Sequence, residues 1–458
     1  MTHHLDRDAG NQKPCENVIA LPGSTHARVE GGRANLAMAR LCLLAALAAL
    51  LAKPLDGWKV SFPALSKAAG RALGSACIAG GLFCAGAPQV ALADRPLNAP
   101  TAAGTRVNSD PESLLRLGLP FNCKEIRDIQ GSIESIKANL KSRRVIFAQN
   151  DLKNAQAGLE RNREKILKQV PASRKAAAAS QYSKMLEDIA PLATAMDVES
   201  SAGSGSEQQA SALAKANAKQ DVLAKDLSVF EEMLVPEGFS RTIPSEYKGL
   251  PALQGRAEVE MVFVRPSGEK FNVDGVNYDD IKIKMIIDGY NAPLTGGNIV
   301  DLVNKGFYNK RPVTRADGFV VQAGDSDPAG TVHGYVPSGA SAERTIPLEL
   351  SFKGDKELVY GSTSEDVSRG AAAAALPFQA YGALGMARDE FEPDTASSQF
   401  FWLLFESDLT PAGKNLMDGR YSCFGYTVEG GELLKAVREG DVIASAKVLK
   451  GAEFLKEN

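Results

Sequence analysis

One arginine and several phenylalanines are the residues of this chain best suited to chemistry. The run Val313–Asp325 contains Arg315, Phe319 and Gln322, and two adjacent phenylalanines follow in the run Ser397–Trp402. Rotation about an X-Pro amide bond crosses a barrier of about 18–20 kcal/mol, because the twisted amide loses its resonance. An apolar pocket for the proline ring, with a permanently protonated guanidinium aimed at the proline nitrogen, would stabilise that twisted state. These residues therefore indicate a site that grips proline and eases this rotation.

Histidine and cysteine usage argues against other kinds of catalytic site. Of four histidines in 458 residues, only His333 lies beyond residue 93, so a Ser-His-Asp or Cys-His nucleophile is not expected. Beyond residue 93 the chain contains only Cys123 and Cys423, which we interpret as buried free thiols. The alternative is a single disulfide between them in an oxidising compartment. We expect neither a cofactor nor a bound metal.

Charge is distributed unevenly along the chain. Residues 251–458 contain 21 basic and 30 acidic side chains, a net charge of −9, which argues against nucleic acid as a partner. Residues 137–175 contain eleven basic and three acidic side chains. This basic stretch is interpreted as a solvated helix face, as a surface that docks on the acidic C-terminal domain, or as a contact for anionic lipid headgroups. Peripheral membrane association is therefore one of the expectations.

The first 93 residues have the composition of a targeting leader. Two apolar stretches interrupt a basic segment, and the second, Ala72–Ala93, ends in Ala91-Leu92-Ala93, a small-x-small cleavage pattern. We predict Asp94 as the mature N-terminus. A leader of this length and layout fits import into a chloroplast followed by passage into the thylakoid lumen, and a membrane anchor is the alternative.

Residues 94–235 are predicted to form a helical bundle. The first helix starts at Asn122, whose capping box includes Glu125, and its apolar stripe continues to Val170. Pro191 and Pro236 are expected to end the second and third helices. The stripes are formed by Ile126, Ile129, Ile133, Ile136, Leu140, Leu152, Leu159, Ile166, Tyr182, Met185, Leu186, Ile189, Leu223, Leu227, Phe230 and Leu234. An antiparallel bundle core is the main interpretation, and a leucine-zipper dimer is the alternative.

A β-rich domain follows the helices. Residues 202–220 are predicted as a loop or a weak helix start, 236–256 as a linker and 257–452 as the second domain. Strands are predicted at 257–265, 281–287, 318–322, 345–351, 384–388, 400–405, 423–428 and 441–449, with one helix at 296–305. Many short strands with frequent glycines indicate a closed β-barrel, so the fold class is multidomain α+β.

Over roughly residues 258–450 the sequence resembles the cyclophilin family of peptidyl-prolyl isomerases. Four blocks occur in the family's order. They are Arg315 with Gly318-Phe319 and Gln322–Asp325, then Met386-Ala387-Arg388, then Ser398–Phe401, and finally Met417–Gly419 with Phe424-Gly425. The segment between Arg315 and Phe319 is one residue shorter than in the family. The resemblance implies prolyl isomerase activity and a cyclophilin-like closed antiparallel barrel.

The resemblance also assigns roles to individual residues. Arg315 would be the catalytic donor, and Gln322 would hold Arg315 and the substrate backbone. The proline pocket would be lined by Phe319, Val320, Phe401 and Met417, with Ala387 and Arg388 at the border of the groove. Leu416 stands in place of the family's tryptophan and Tyr421 in place of its histidine. The first substitution predicts weak cyclosporin binding, and the second predicts reduced turnover.

The whole arrangement resembles the thylakoid-lumen immunophilins, which have a helical domain before a divergent cyclophilin domain. This implies an isomerase that acts on proline-containing luminal segments of photosystem II proteins during assembly and maintenance. The alternative is a weakly active or inactive cyclophilin that acts as a chaperone or scaffold. Docking of the helical domain on the cyclophilin domain would then cover its groove. An acidic insertion, Asp389, Glu390, Glu392 and Asp394, is interpreted as a solvated loop or as a contact for the basic helices.

Overall fold

The computed structural model describes residues 107–405 and 415–457. The predicted leader with its cleavage site before Asp94 lies outside the described residues, as does the segment 406–414. Within the described part, none of the helices combines the length and the apolarity needed to cross a bilayer.

The N-terminal part of the described chain is helical. Its helices are α1 (Pro111–Leu117), α2 (Lys124–Lys141), α3 (Val145–Leu167), α4 (Lys175–Ser201) and α5 (Glu207–Met233). Helices α2 to α5 bury their apolar stripes in one core, where the rings of Tyr182 and Phe230 meet edge to face with centroids 5.2 Å apart. The apolar stripes are thus buried within one chain, as expected for a helical bundle, and do not require a second chain as in a leucine-zipper dimer.

The predicted continuous helix from Asn122 to Val170 is wrong. The chain reverses at Ser142–Arg144, where Arg143 has a φ of 54°, and α3 packs back along α2. A single long helix would leave both apolar stripes exposed, whereas the hairpin buries them against each other. The capping box is wrong as well, because Cys123 precedes α2 and caps it with no side-chain hydrogen bond.

Pro191 does not end a helix. Helix α4 continues through it to Ser201, and Pro191 lies on an exposed face where water can reach the carbonyl of Glu187 that lacks an N–H partner. Within 202–220 the loop ends at Ser206. Its hydroxyl accepts a hydrogen bond from the N–H of Gln209 at 3.1 Å and starts α5.

The C-terminal part of the described chain is built around an antiparallel sheet. The strands are β1 (Pro251–Leu253), β2 (Arg256–Val264), β3 (Phe271–Val273), β4 (Val276–Tyr278), β5 (Asp280–Asp288), β6 (Val313–Ala316), β7 (Val320–Ala323), β8 (Glu349–Leu350), β9 (Val359–Tyr360), β10 (Ala383–Met386), β11 (Phe400–Leu403), β12 (Cys423–Glu429), β13 (Val442–Lys450) and β14 (Leu455–Glu457). Eight of them form one sheet in the order β13-β2-β5-β12-β10-β11-β7-β6. Helix α6 (Pro293–Asn304) packs into the apolar core on the inner face of this sheet.

The sheet is curled, but its strand order is open. Strands β6 and β13 are its two edges, and among the described residues no ladder joins them. The edges meet at one bridge between Pro312 and Val442, and four backbone hydrogen bonds join residues 310–313 to residues 440–443, among them the bond from the N–H of Val313 to the carbonyl of Asp441 at 2.7 Å. The antiparallel sheet agrees with the prediction, and the predicted closed barrel is not confirmed.

Part of the segment that we assigned to a linker belongs to the sheet domain. Residues 251–253 form β1, which pairs with β14 at the C-terminal end of the chain. Arg256 is the first residue of β2, which pairs with β5 along its whole length from Arg256 to Val264. The folded domain therefore starts before residue 257 and extends beyond residue 452.

The helices contact the sheet domain through an arginine of the sheet. The guanidinium of Arg256 donates to Glu232 at 2.8 Å, to Asp288 at 2.7 Å and to the carbonyl of Leu115 at 2.6 Å. One of the alternatives for the basic stretch 137–175, docking on the acidic domain, has the opposite polarity. The ion pairs of that stretch, from Lys137 and Lys165, are instead made to Asp110, Asp221 and Glu125 of the helical part.

Candidate active site

The motif residues meet on the outer face of the curled sheet. Arg315 of β6 is paired with Gln322 of β7, Gln322 with Phe401 of β11, and Phe401 with Gly385 of β10. Directly paired residues of adjacent strands share a face of the sheet. Val321, next to Gln322, is buried in the inner core, which places Gln322 and its row on the opposite face. Arg315, Gln322 and Phe401 are therefore neighbours in one row.

Phe401 forms the apolar floor of this row. A Cβ at Gly385 would lie 2.2 Å from its ring, so only glycine lets the ring lie against strand β10. Phe378 stacks on Phe401 with centroids 6.1 Å apart, and Tyr421 meets it edge to face at 5.7 Å. Val320 belongs to the same outer cluster. The result is an aromatic surface beside the polar end of the row.

Arg315 is held by an aspartate that the sequence analysis did not single out. Its Nε donates to Oδ2 of Asp317 at 2.7 Å, and Oδ1 of Asp317 accepts the N–H groups of Phe319 and Val320 at 3.0 Å each. Partial desolvation would raise the pKa of Asp317, but the hydrogen bonds from Val320, Phe319 and Arg315 outweigh it, and the pKa is lowered. One ionised carboxylate thus joins the guanidinium to the turn that carries Phe319.

The expected role of Gln322 in holding Arg315 is not what the structure shows. The Nε2 group of Gln322 donates to Oε1 of Gln399 at 2.9 Å, on the side away from β6. The Nε and one Nη of Arg315 contact Oδ2 of Asp317 at 2.7 and 2.5 Å, while the side chain as a whole is 57% exposed and accessible to a bound peptide. The guanidinium is oriented by Asp317, while Gln322 is oriented by Gln399.

The remaining predicted pocket residues differ in their exposure. Phe319 is 62% exposed and stacks on Phe405, with ring centroids 6.5 Å apart. Met417 packs against the outer apolar cluster. Leu416, next to the segment outside the described residues, is 80% exposed and lies outside that cluster. The structure therefore brings Met417 to the Phe401 platform and leaves Leu416 in solvent.

The side chains of Arg388 and Tyr421, both predicted to lie at the groove, pack on each other. The guanidinium carbon of Arg388 lies 5.1 Å from the ring centroid of Tyr421, and its Nε donates to the carbonyl of Arg420 at 2.9 Å. The N–H of Ala387 donates to the carbonyl of Gln399 at 3.0 Å, which fixes the neighbouring backbone. Arg388 and Tyr421 therefore form one packed border of the groove.

The acidic insertion is ordered by its own hydrogen bonds. Oδ1 of Asp389 accepts the N–H groups of Phe391 at 2.9 Å and Glu392 at 3.3 Å, and the N–H of Asp389 donates to the Thr395 hydroxyl at 2.9 Å. No ion pair joins this insertion to the basic helices within the described residues. The solvated-loop interpretation describes it, and the proposed contact with the helices is absent from this part of the chain.

Sequence reasoning missed several residues that shape the site. The dipeptide Asp317-Gly318 is a turn signal and could have pointed to Asp317. Gly385, Gln399 and Phe378 carry no comparable signal, because their contacts depend on strand register and on the path of a long connection. Their positions become visible only when the four strands are paired.

Comparisons with known proteins agree with this geometry. The family described as cyclophilin type peptidyl-prolyl cis-trans isomerase/CLD matches residues 273–454. A thylakoid lumen peptidyl-prolyl cis-trans isomerase of Synechocystis sp., so named, is 37% identical over 370 residues, which are 79% of this chain and 88% of the relative. The chain belongs to the cyclophilin family of peptidyl-prolyl cis-trans isomerases.

Other matches cover the helical part of this cyclophilin. Residues 110–218 match a family described as peptidyl-prolyl cis-trans isomerase CYP38-like, PsbQ-like domain. The chloroplastic peptidyl-prolyl cis-trans isomerase CYP38 of Arabidopsis thaliana is 36% identical over 350 residues, which are 76% of this chain and 75% of the relative.

A crystal structure of a Cryptosporidium parvum cyclophilin, determined with the dipeptide Ala-Pro, is 20% identical and covers 42% of this chain and 99% of its own, with a TM-score of 0.26.

Proposed function

We propose that this cyclophilin catalyses isomerisation of X-Pro bonds in the thylakoid lumen and assists photosystem II assembly and maintenance. Its clients would be proline-containing luminal segments of photosystem II proteins. The names of its relatives, one chloroplastic and one of the thylakoid lumen, support this compartment. The apolar segment Ala72–Ala93, with its cleavage pattern before Asp94, supports it independently.

The row of Arg315, Gln322 and Phe401 is the observation that carries the catalytic proposal. The proline ring packs on Phe401, with Met417, Val320 and Phe319 around it. No covalent bond is made or broken. As the amide twists, the nitrogen lone pair becomes available and accepts a hydrogen bond from Arg315, a contact absent from the planar ground state. Because that contact forms only in the transition state, it accelerates the rotation.

Gln322 has a supporting role in this mechanism. It lies between Arg315 and Phe401 in the row, and its amide is fixed by Gln399 at 2.9 Å. In that position it faces the substrate backbone on either side of the bond. Ala387 and Arg388, at the end of β10, border the groove that takes the preceding residues.

A second candidate function is that of a chaperone or scaffold with weak catalysis. Three observations favour it. Asp317 already engages Nε of Arg315, and the contact between Arg388 and Tyr421 fixes two residues that border the groove. Leu114 and Leu115 of α1 are buried in the same outer cluster as Phe401, so the helical part covers a portion of this face. Docking of the helices next to the groove would then limit turnover.

A refolding assay separates the two functions. Catalytic amounts of the full chain are added to a protein whose refolding is limited by prolyl isomerisation, and aggregation is followed in parallel. We expect the refolding rate to rise with the chain and not with Arg315→Ala. Suppression of aggregation by both proteins, without any rate increase, would instead establish the scaffold function.

A further inference from the structure

The reversal between α2 and α3 exposes two adjacent large apolar side chains. Ile146 is 69% and Phe147 is 59% exposed at the start of α3. The flanking Val145 and Ala148 are buried in the bundle core, so the first turn of α3 is anchored on its inner side. These two neighbouring apolar residues are mostly exposed and lie outside the bundle core.

Cations surround this apolar pair. Lys141, Arg143 and Arg144 are exposed, and none of them forms an ion pair with another described residue. Residues 135–150 contain no acidic side chain. The guanidinium of Arg144 lies 5.8 Å from the ring centroid of Phe147, so charge and apolar surface are adjacent.

One end of α2 lies beside the sheet domain, because Cys123 and Arg127 line the same cleft as Phe352 and Lys353. Helix α2 has 18 residues, which at 1.5 Å per residue separate this end from the tip by about 27 Å. The tip is therefore at the end of α2 away from this cleft.

We propose that the tip formed by residues 141–147 docks on the anionic headgroups of a lipid bilayer. Surface-bound proteins insert apolar side chains at the boundary between headgroups and acyl chains, while lysine and arginine bind the anionic lipids. At the tip, exposed apolar side chains and exposed cations lie side by side. An acidic protein surface would pair with the cations but would offer no apolar surface for the exposed side chains of Ile146 and Phe147. One acidic side chain, Asp197 of α4, lies near the tip, and its Oδ1 accepts a hydrogen bond from the amide of Gln149 at 2.9 Å.

Such docking would make the protein a peripheral membrane protein. The interaction would weaken at high salt, because exposed charges are screened within a Debye length. This inference does not depend on whether the isomerase is active.

Vesicle binding by the full chain tests the proposal. The chain is sedimented with vesicles of phosphatidylcholine mixed with phosphatidylglycerol, and with vesicles of phosphatidylcholine alone. We expect salt-sensitive binding to the anionic vesicles. The triple variant Lys141→Gln, Arg143→Gln, Arg144→Gln should bind roughly 100-fold more weakly, since each cation near an anionic surface contributes about 1 kcal/mol. The double variant Ile146→Ser, Phe147→Ser should also lose binding.

A charge-matched control lies at the other end of α3. Arg161, Lys168 and Lys175 are exposed, and their replacement by glutamine removes the same charge. We expect this control to bind the anionic vesicles like the wild type. Equal loss in the control and the tip variant would overturn the proposal, because binding would then follow total charge. Absence of vesicle binding by the wild type would overturn it as well, including the case in which an acidic protein binds the tip.

A spectroscopic reporter locates the contact. In Phe147→Trp the new indole stands at the tip, and its emission is taken as the difference from the wild type, which contains Trp58 and the fully buried Trp402. We expect its emission to shift to shorter wavelength on addition of the anionic vesicles. Unchanged emission while the protein is bound would contradict insertion of the tip. Because the substituted side chains are exposed, unchanged thermal unfolding serves as the check on folding.

Discussion

The two faces of strands β7 and β11 differ in what their side chains do. On the inner face, Trp402 is fully buried, and its ring lies 4.6 Å from that of Phe400 and 5.6 Å from that of Phe263. On the outer face, one residue away along the same strands, Phe401 and Gln322 stand beside an exposed arginine. The inner face is closed and apolar, whereas the outer face combines an aromatic floor with hydrogen-bond donors.

Stability and chemistry therefore depend on opposite faces of the same strands. Because side chains alternate along a strand, the packing of the inner face fixes the register that places Arg315 opposite Gln322 and Gln322 opposite Phe401. The outer row can then be partly exposed without losing its geometry. Substitutions on the inner face should change the free energy of unfolding. Those on the polar part of the outer face should change catalysis.

The largest effect is expected on the inner face. Trp402→Ala should lower the free energy of unfolding by about 3–5 kcal/mol, because it removes a fully buried ring and leaves a cavity. Denaturant unfolding of the full chain measures this. Val229→Ala on an exposed position of α5 is the control and should change it little. A loss below about 1 kcal/mol for Trp402→Ala would mean that the inner face does not carry the stability of the domain.

A smaller effect is expected at the turn that holds Arg315. Asp317→Asn keeps Oδ1 as an acceptor for the turn but removes the charge that orients the guanidinium. We expect kcat to fall about tenfold, equivalent to about 1.4 kcal/mol, with KM and unfolding nearly unchanged. The control Asp279→Asn breaks an exposed pair with Lys270 and should leave both unchanged. Equal or higher activity in Asp317→Asn would show that Asp317 restrains Arg315 instead of positioning it.

Glu349 connects the two faces and should give a smaller, pH-dependent effect. Its carboxylate accepts the N–H groups of Leu294 at 3.2 Å and Thr295 at 2.9 Å at the start of α6, which packs into the inner core. It also lines a cavity of about 20 Å³ with Phe378 and Tyr421, beneath the outer platform. Desolvation raises its pKa to about 7 despite these hydrogen bonds, from an ordinary value of 4.5.

The sign of the pH effect follows from this pKa. A carboxyl group whose pKa is raised in the folded state contributes its full stability below its unfolded pKa and loses it as the pH rises through the folded value. Between pH 5 and pH 8 the wild type should therefore lose on the order of 1 kcal/mol more than Glu349→Gln, which cannot titrate. Urea unfolding of both proteins at the two pH values gives this difference. Parallel pH profiles would show that Glu349 does not titrate in this range.

Parts of the fold could be predicted from the sequence because their patterns are local. Strands β2 and β5 were found within a residue or two from strict alternation, and the apolar stripes of the helices proved to be the bundle core. The four motif blocks placed Arg315, Gln322 and Phe401 in one site, and strand pairing puts them in one row. Which of them bind substrate stays a prediction.

What was missed depends on contacts distant in sequence. The break at Ser142–Arg144 contains neither glycine nor proline, and it forms because hairpin packing outweighs helix continuity. Helix α1 was overlooked although Asp110-Pro111 is an N-terminal signal, and its apolar residues find their partners on the sheet. The pairing of β1 with β14 joins segments about 200 residues apart, which no local pattern reveals.

The central claim is that the outer row accelerates rotation about X-Pro bonds through Arg315. Nuclear magnetic resonance exchange spectroscopy on an Ala-Pro-containing peptide measures the cis–trans interconversion rate directly, with the full chain present at a small fraction of the peptide concentration. We expect exchange cross-peaks with the wild type and a rate lower by roughly 100-fold with Arg315→Ala. Equal exchange rates with the two proteins would contradict it.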